Sequence, residues 1–263
     1  MIFLSKSGLD KYINMLASSA HRHPINTDDF NYADSRDPIV LRGIMKHKIM
    51  KQCWKDGRTF YYMDTGYFGN DIGPKNPNGY KLWHRIVKNN MQHTDIISRP
   101  DDRWIKQNRT IVPWRKDGRK ILVLPPGDKP AKFYGVDSTK WLNDVVNTIK
   151  QYTDRPIEVR AKPGKRGNRV LINTFEQALD DDVFAVVAYN TIAATESILY
   201  GIPAFTVAPG SAHPVALKDL SQIETPYYAD NDKLYAWACH LAYGQFHVGE
   251  LQNGIAMKIL LEQ

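Results

Sequence analysis

The chain has 263 residues, of which 43% are hydrophobic and 24% are charged, and its formal net charge at pH 7 is +7. That length suits one large domain or two small α/β lobes, and the composition is typical of an ordinary globular protein. Apolar stretches are all shorter than the roughly 20 residues of a membrane span, and the N-terminus lacks the long apolar segment of a secretory signal. The two cysteines lie far apart in the sequence, which excludes a disulfide framework and indicates a reducing, cytoplasmic setting. If the protein is viral, this setting is the cytoplasm of the host.

The net charge is concentrated in one segment. Residues 81–120 carry a net charge of +7, whereas 1–80 carry +3 and 121–263 carry −3. Tryptophan and arginine alternate within this segment, at Trp83 and Arg85 and again at Arg103 and Trp104. Such a mixture suits a polyanionic partner, and it equally suits a solvated, linker-like surface.

The N-terminal half is predicted to contain a strand, a helix and a second strand. The first 35 residues have no clear pattern. The predicted elements are a strand at 39–41, a helix at 44–54 that ends at Asp56-Gly57, and an aromatic strand at 60–63. A loop that begins at Asp64 follows the second strand, and 70–80 is rich in Gly, Pro and Asn and is predicted to be loop as well.

The C-terminal half follows an α/β rhythm after a predicted hinge at 113–120. Strands are predicted at 121–124, 157–160, 183–189 and 204–207, and helices at 138–152, 174–179, 235–243 and 254–261, with Ser138 as an N-cap. Alternation of strands and helices predicts parallel sheets covered by helices on both faces. The fold class is therefore α/β with two Rossmann-like lobes, 1–112 and 121–263.

The stretch 183–209 is the most informative part of the chain. A buried apolar run stops at Asn190-Thr191, and a helix containing Glu196 follows and ends at Gly201. The N-terminus of such a helix lies at the carboxyl edge of the sheet, where free N–H groups favour an anion. A carboxylate one turn into the helix can accept hydrogen bonds from a ribose diol. A purely structural βαβ unit with a solvated Glu196 fits the pattern equally well.

Three loops of the second lobe should meet at this edge, because ligands of parallel sheets bind beyond the carboxyl ends of the strands. Between them they supply cations, hydroxyl groups, a carboxylate and an imidazole, which are the groups that hold a nucleoside diphosphate. The candidate donor-binding residues are Arg160, Lys162, Asn190, Thr191, Thr195, Glu196 and His213.

The order of two of these motifs resembles a known family. The chain has a strand followed by R-x-K-P, and then a strand followed by N-T-x-A-A-T-E-S-x-L-Y-G-x-P. This order is similar to that in the donor lobe of GT-B glycosyltransferases, especially capsule and Kdo-type transferases. The resemblance covers about 121–225, with Lys162 where His is common and Ala194 where Gly is common. It implies that Glu196 binds the donor ribose and that Arg160, Lys162, Thr191 and Thr195 lie near the phosphates.

Residues 39–69 resemble the acceptor lobe of the same transferases, in which a strand ends in an acidic residue followed by glycine. Asp64 stands at that position. The resemblance implies that its carboxylate opens into the crevice between the lobes and takes the proton from an acceptor hydroxyl. The alternative role of Asp64 is to cap the turn at Gly66.

These features predict a nucleotide-sugar-dependent glycosyltransferase that needs neither a metal nor a further cofactor. The D-x-D pattern in Asp180-Asp181-Asp182 precedes a buried strand and is interpreted as a solvated connection rather than a metal site. An epimerase or a hydrolase of sugar nucleotides is a further possibility, because these enzymes share the GT-B architecture.

The favoured acceptor is a 5-hydroxymethylated pyrimidine in duplex DNA, since the size and basic charge resemble bacteriophage DNA-modifying glucosyltransferases. The candidate acceptor-binding residues are Trp83, Arg85, Arg103 and Trp104. The alternatives are transfer to a capsular or lipopolysaccharide glycan and a non-catalytic nucleic-acid-binding protein.

Overall fold

The structure is a computed structural model that describes residues 1–44, 47–70, 81–161 and 174–262. The chain forms two compact units. The first unit is Met1–His93 together with Leu241–Gln263, and the second unit is Thr94–His240. This division differs from the predicted lobes 1–112 and 121–263 because both ends of the chain belong to one unit.

The strands and helices alternate through most of the chain. The strands are β1 (Ile2–Ser5), β2 (Ile25–Asn26), β3 (Ile39–Arg42), β4 (Phe60–Thr65), β5 (Trp83–Lys88), β6 (Lys120–Leu124), β7 (Ile157–Val159), β8 (Val183–Ala188), β9 (Ala204–Thr206) and β10 (Gln245–His247). The helices are α1 (Lys11–Ser19), α2 (His47–Asp56), α3 (Asp102–Lys106), α4 (Asp128–Tyr134), α5 (Ser138–Ile149), α6 (Phe175–Asp180), α7 (Ala193–Leu199), α8 (Asn231–Tyr243), α9 (Val248–Gln252) and α10 (Ile255–Leu261). None of the helices in the described part of the chain is long and apolar enough to span a membrane.

The sheet of the first unit has the strand order β10-β5-β4-β3-β1-β2. The strands β2, β1, β3 and β4 run parallel, whereas β5 is antiparallel to both β4 and β10. The pairing of β10 with β5 carries the C-terminal residues back to the first sheet. This pairing is the physical reason why residues beyond 240 belong to the first unit and not to the second.

Helices cover both faces of the first sheet. Because side chains alternate along a strand, Phe3, Val40 and Met63 point to one face, where they pack with Leu16 of α1 and Leu260 of α10. On the other face, the Trp54 ring of α2 meets the Phe60 ring of β4 edge-on, with 5.5 Å between the ring centroids.

The sheet of the second unit is entirely parallel, with the order β7-β6-β8-β9. All six residues of β8 are buried. Trp141 and Ile149 of α5 pack on one face, against Val123 and Val187, and α6 and α7 pack against β8 on the other. The predicted fold class, α/β with two units built on parallel strands and helices on both faces, is confirmed; the antiparallel strands β5 and β10 are a departure from it.

The segment 113–120, predicted to be a hinge, lies inside the second unit. Its neighbour Val112 donates its N–H to Leu199 O at 2.9 Å, and Arg115 donates its N–H to Gly201 O at 2.7 Å. These backbone bonds fix the segment against the end of α7. The chain instead passes between the units at His93/Thr94 and within α8.

Two further local predictions need correction. The first 35 residues contain β1, α1 and β2, although no pattern predicted them. The N-cap of α5 is Asp137, which accepts the N–H groups of Thr139 and Lys140 at 2.9 Å each, whereas the Ser138 hydroxyl donates to Pro126 O at 3.0 Å.

Candidate functional site

The loops after β7, β8 and β9 leave the same edge of the second sheet. The apolar strand β8 ends at Ala188, and the polar turn at Asn190 and Thr191 leads into α7. Thr191 Oγ1 accepts the Ala193 N–H at 3.4 Å, a weak contact at the first turn of the helix. Gly201, with φ +74°, lets the chain reverse after α7, as the sequence predicted. The local fold therefore places the motif at the edge where ligands of such sheets bind.

A buried hydrogen bond joins two of these loops. Thr195 Oγ1 of α7 and Ser211 Oγ of the loop after β9 are 2.6 Å apart, and neither residue is more than 1% exposed. The Trp237 indole also donates to Ser211 O at 2.7 Å. Thr195 is thus enclosed by protein, so its hydroxyl positions the loops instead of facing a phosphate group as the resemblance implied.

Glu196 follows Thr195 and is partly exposed, and it has interactions with its surroundings. Asn190 is 8% exposed at the preceding turn. Since the Thr195 to Ser211 bond fixes the helix, the backbone that carries the Glu196 carboxylate is held at the sheet edge. That Glu196 binds a ribose stays a prediction.

His213 lies in the loop after β9, at the start of a short 3-10 helix, His213–Val215. Burial, and to a lesser degree the Lys218 charge, lowers the pKa of His213 below its ordinary value, so the imidazole is neutral at pH 7. Its Nδ1 atom is buried and has no hydrogen-bond partner among the described residues. A neutral imidazole can donate a hydrogen bond from one ring nitrogen and accept one at the other.

Arg160 follows β7 directly. Its N–H donates to Val123 O at 3.0 Å, which extends the pairing of β7 with β6, and its side chain is partly buried. The predicted cation Lys162 lies outside the described residues. Of the predicted donor-binding set, the structure therefore places Arg160, Asn190, Thr191 and His213 on loops from one sheet edge, and Glu196 in the first turn of α7 at that edge.

Asp64, the predicted base, belongs to β4 rather than to the loop after it, and it is paired with Arg85 in the antiparallel register. Its Oδ2 atom accepts the Tyr62 hydroxyl at 2.6 Å and lies 3.7 Å from Arg85 Nη2, and its Oδ1 atom accepts the Thr65 N–H at 2.8 Å. Burial raises the pKa of Asp64, but Arg85, Tyr62 and Thr65 together hold it below its ordinary value. The carboxylate is therefore ionised at neutral pH, as a base must be, while the same contacts weaken it as a proton acceptor.

Arg85 is an internal residue of the first unit. It is 7% exposed; its Nε donates to Met91 O at 2.9 Å, and a second nitrogen donates to Thr65 O. The guanidinium also lies 5.7 Å from the centroids of the Tyr62 and Tyr67 rings. These contacts hold the end of β4 in place and leave Arg85 little surface to offer a nucleic acid.

The other predicted acceptor residues are also enclosed. Arg103 and Trp104 of α3 are 6% and 4% exposed. Trp83 is partly buried and packs against His247, with 5.2 Å between the ring centroids. Burial removes Arg103 and Trp104 from any surface that could follow a DNA backbone, which corrects their predicted role in acceptor binding, whereas Trp83 stays partly exposed.

Three further cations of the basic segment meet carboxylates in the second unit. Arg115 lies 3.7 Å from Asp180, Lys120 Nζ lies 2.5 Å from Asp181, and Arg119 pairs with Asp182. Lys120 Nζ also contacts Glu158 at 2.7 Å. The three successive aspartates are thus partners of the basic segment. Within the described ranges, no group of three or more His, Cys, Asp or Glu residues could hold a metal ion.

A polar cluster in the first unit was missed from the sequence. The carboxyl ends of β1 and β3 place Ser5 and Arg42 at one edge of the sheet, where Ser5 Oγ accepts the Asp10 N–H at 3.0 Å and Arg42 Nη1 lies 3.4 Å from Asp10 Oδ2. The Tyr12 ring packs on His84, with 3.9 Å between the ring centroids. Burial and the Arg42 charge lower the pKa of His84 to about 4. Recognition of β1 as a strand would have placed Ser5 at this edge.

Comparison with known proteins gives distant likenesses among solved structures. Neither a protein-family model nor a curated protein sequence matches the chain. Among solved structures, the chain is similar to one described as Thermosulfurimonas dismutans KpsC, beta Kdo 2,4 transferase, with 9% identity and a TM-score of 0.46, over 77% of this chain and 78% of that chain. A likeness at this level carries no argument about chemistry, which has to come from the residues themselves.

Proposed function

We propose that the protein is a glycosyltransferase whose second unit holds a nucleoside-diphosphate sugar. The observation that carries the proposal is the buried bond between Thr195 and Ser211, because it holds the helix of Glu196 and the loop of His213 together at one sheet edge. The motif order described above, with its resemblance to GT-B donor lobes, supports the same interpretation.

Each side chain has a chemical task in this proposal. The Glu196 carboxylate accepts hydrogen bonds from the ribose hydroxyls. Arg160, with Lys162, supplies positive charge near the diphosphate, and the neutral His213 imidazole donates a hydrogen bond to a phosphate oxygen as negative charge develops on the leaving group. Asp64 of the first unit is the proposed base for the acceptor hydroxyl.

For the acceptor we propose a glycan hydroxyl in preference to duplex DNA. The case for DNA depended on an exposed basic segment, but Arg85 and Arg103 are buried and Lys120 is paired with two carboxylates. The support left for DNA is the net charge and the exposed lysines of the segment, which include Lys88, Lys106 and Lys116. Hydroxymethylated DNA stays in the test as the competing acceptor.

Protection of the protein by nucleotides tests the donor site. UDP, GDP, ADP, CDP, dTDP and CMP are added separately in thermal melts. A nucleotide at 100 times its Kd stabilises the folded state by about 2.7 kcal/mol, which corresponds to roughly 5–10 °C for a chain of this size. We expect one nucleoside diphosphate to raise the melting temperature of the wild-type protein by this amount. Glu196→Ala should lose most of this increase. Glu176→Ala is the control, because it replaces another partly exposed glutamate in the first turn of a helix, and it should keep the increase.

The proposal fails if no nucleotide protects the wild-type protein or if Glu196→Ala is protected as well as the wild type. Transfer is then followed by mass spectrometry of bacterial glycans and of hydroxymethylated DNA incubated with the matching sugar nucleotides. Asp64→Asn is expected to keep nucleotide protection and to lose transfer; a variant that still transfers sugar at the wild-type rate removes Asp64 as the base.

A further inference from the structure

A concave site lies in the first unit, at the carboxyl edge of its sheet. This edge pocket has a volume of about 480 Å³ and lies between the turn after β1, the first turn of α1 and the end of β3. The size falls within the range of small-ligand sites in proteins, which is about 300–1,000 Å³. The described residues that line the pocket are Lys6, Leu9, Asp10, Lys11, Tyr12 and Arg42.

The turn that forms one wall of the edge pocket is fixed at both ends. It is a short 3-10 turn, Lys6–Gly8, and the Leu9 N–H donates to Lys6 O at 3.1 Å. The Asp10 N–H donates at 3.0 Å to the hydroxyl of Ser5, which is fully buried at the end of β1. The wall is therefore shaped before any ligand arrives, which lowers the entropy that a ligand loses on binding.

The charges of the edge pocket favour an anion. Its described lining holds three cations, Lys6, Lys11 and Arg42, and one carboxylate, Asp10. The Asp10 carboxylate is engaged within the protein, because its Oδ1 atom accepts two N–H groups of the first turn of α1 at 3.2 and 3.3 Å, and its Oδ2 atom lies 3.4 Å from Arg42 Nη1. With this carboxylate counted, the lining keeps an excess of two positive charges.

Arg42 is held in an orientation that suits an oxyanion. Its guanidinium carbon lies 4.7 Å from the centroid of the Tyr12 ring, and Lys11 Nζ lies 4.9 Å from the same centroid. The ring and the Asp10 carboxylate together fix the guanidinium, while a quarter of the Arg42 side chain is exposed. A guanidinium fixed in this way is a preorganised pair of donors for a carboxylate or a phosphate group.

The edge pocket is close to Asp64, the proposed base. The register of β3 and β4 pairs Arg42 with Met63, so Asp64 is the next residue of the neighbouring strand, at the same sheet edge. Burial raises the pKa of Asp64, and Arg42 is one of the groups that lower it, after Arg85. An acceptor has to hold its hydroxyl beside the base, so the rest of a bound acceptor extends over this edge.

We propose that the edge pocket holds the acceptor and that this acceptor is an acidic sugar, whose carboxylate or phosphate group binds Arg42, Lys6 and Lys11. The inference rests on the proposed function, since it names the acceptor class of a glycosyltransferase with Asp64 as the base. Duplex DNA fits less well, because its binding needs a row of phosphate contacts, whereas the edge pocket is one compact concavity.

Titration calorimetry of the full chain compares four probes without any nucleotide. Hexagalacturonate carries carboxylates, a phosphorylated mannose pentasaccharide carries phosphate, maltohexaose is neutral, and hexathymidylate represents nucleic acid. We expect at least one of the two acidic sugars to bind at least tenfold more tightly than maltohexaose, and the tighter of the two identifies the anionic group.

Two double variants of equal charge test the location of this binding. Lys6→Gln with Lys11→Gln should weaken the binding of the acidic sugar at least tenfold. Lys48→Gln with Lys55→Gln removes the same charge from exposed positions of α2, on the other face of the sheet, and should leave the binding unchanged. Arg42→Lys keeps the charge but loses the paired donors, so it should weaken the binding as well. Thermal melts of each variant verify that it is folded.

Three results would overturn the proposal. Neither acidic sugar binds the wild-type protein more tightly than maltohexaose; the two double variants bind the acidic sugar equally well; or hexathymidylate binds more tightly than both acidic sugars and depends on Lys6 and Lys11. Nucleotide protection is measured on the same protein samples. Retained protection without binding of an acidic sugar means that the acceptor proposal alone has failed, whereas binding without protection means that the donor site has failed.

Discussion

Replacement of Gly201 by alanine tests how closely the chain packs behind α7. Gly201 has φ +74°, and an added Cβ would lie 2.3 Å from Pro113 O. The left-handed conformation alone costs an alanine about 1–2 kcal/mol. The contact with a backbone carbonyl adds to this, because the segment has to move and at least one of its two backbone hydrogen bonds to Leu199 and Gly201 is lost, at about 1 kcal/mol each. We therefore expect Gly201→Ala to destabilise the protein by about 2–4 kcal/mol.

Gly135 provides the matched control. It follows α4 with φ +67°, and nothing lies within 4 Å of its added Cβ. Gly135→Ala should therefore cost only the left-handed conformation, about 1–2 kcal/mol. The midpoints of urea unfolding of the two variants are compared by tryptophan fluorescence. They should differ by about 1 M urea if the free energy of unfolding has a typical dependence on urea concentration. Equal midpoints for the two variants would show that the segment at Pro113 does not press on the turn.

Two further predictions concern buried polar groups. The pKa of His84 is about 4 in the folded protein, against an ordinary value of 6.5. The stability that the neutral imidazole contributes is therefore complete above pH 6.5 and is lost as the pH falls towards 4. The free energy of unfolding should fall by up to about 1.4 kcal/mol per pH unit in this range. Urea midpoints at pH 7, 6 and 5 should fall less steeply in His84→Gln than in the wild-type protein, and parallel slopes would contradict the buried neutral imidazole. Thr195→Val and Ser211→Ala should each lower the free energy of unfolding. The double variant should lose about 1 kcal/mol less of this free energy than the sum of the two single losses, because the hydrogen bond is removed only once. Strict additivity would mean that the two hydroxyl groups do not interact.

The second unit was the more predictable part of the fold, for identifiable reasons. The strand β8 is a continuous apolar run because both of its faces are covered, and the positive φ of Gly201 followed by Pro203 marks the end of α7. The apolar run and the residues Gly201 and Pro203 are local signals that the sequence displays directly, and α7 ends at Leu199, two residues before Gly201.

The first unit was less predictable because its determinants are distant in the chain. Strand β1 has only four residues. Strand β10 has three residues, with no alternation of polar and apolar side chains to mark it, and the pairing of β10 with β5 joins segments about 160 residues apart. Arg85 was predicted to lie on the surface because a charge pattern does not reveal a tertiary partner such as Asp64. The candidate donor edge was found from local motifs, whereas the Ser211 partner of Thr195 depends on tertiary packing.

The return of β10 to the first sheet has a consequence for biosynthesis. The second unit is one continuous stretch, Thr94–His240, and can fold as soon as that stretch has left the ribosome. The first unit begins earlier in the chain but has to wait for its last helices and for Phe246, which is fully buried in its core. During translation the order of completion is therefore reversed: residues 94–240 mature first, and nascent residues 1–93 keep apolar surface open to chaperones until residues 241–262 have been synthesised.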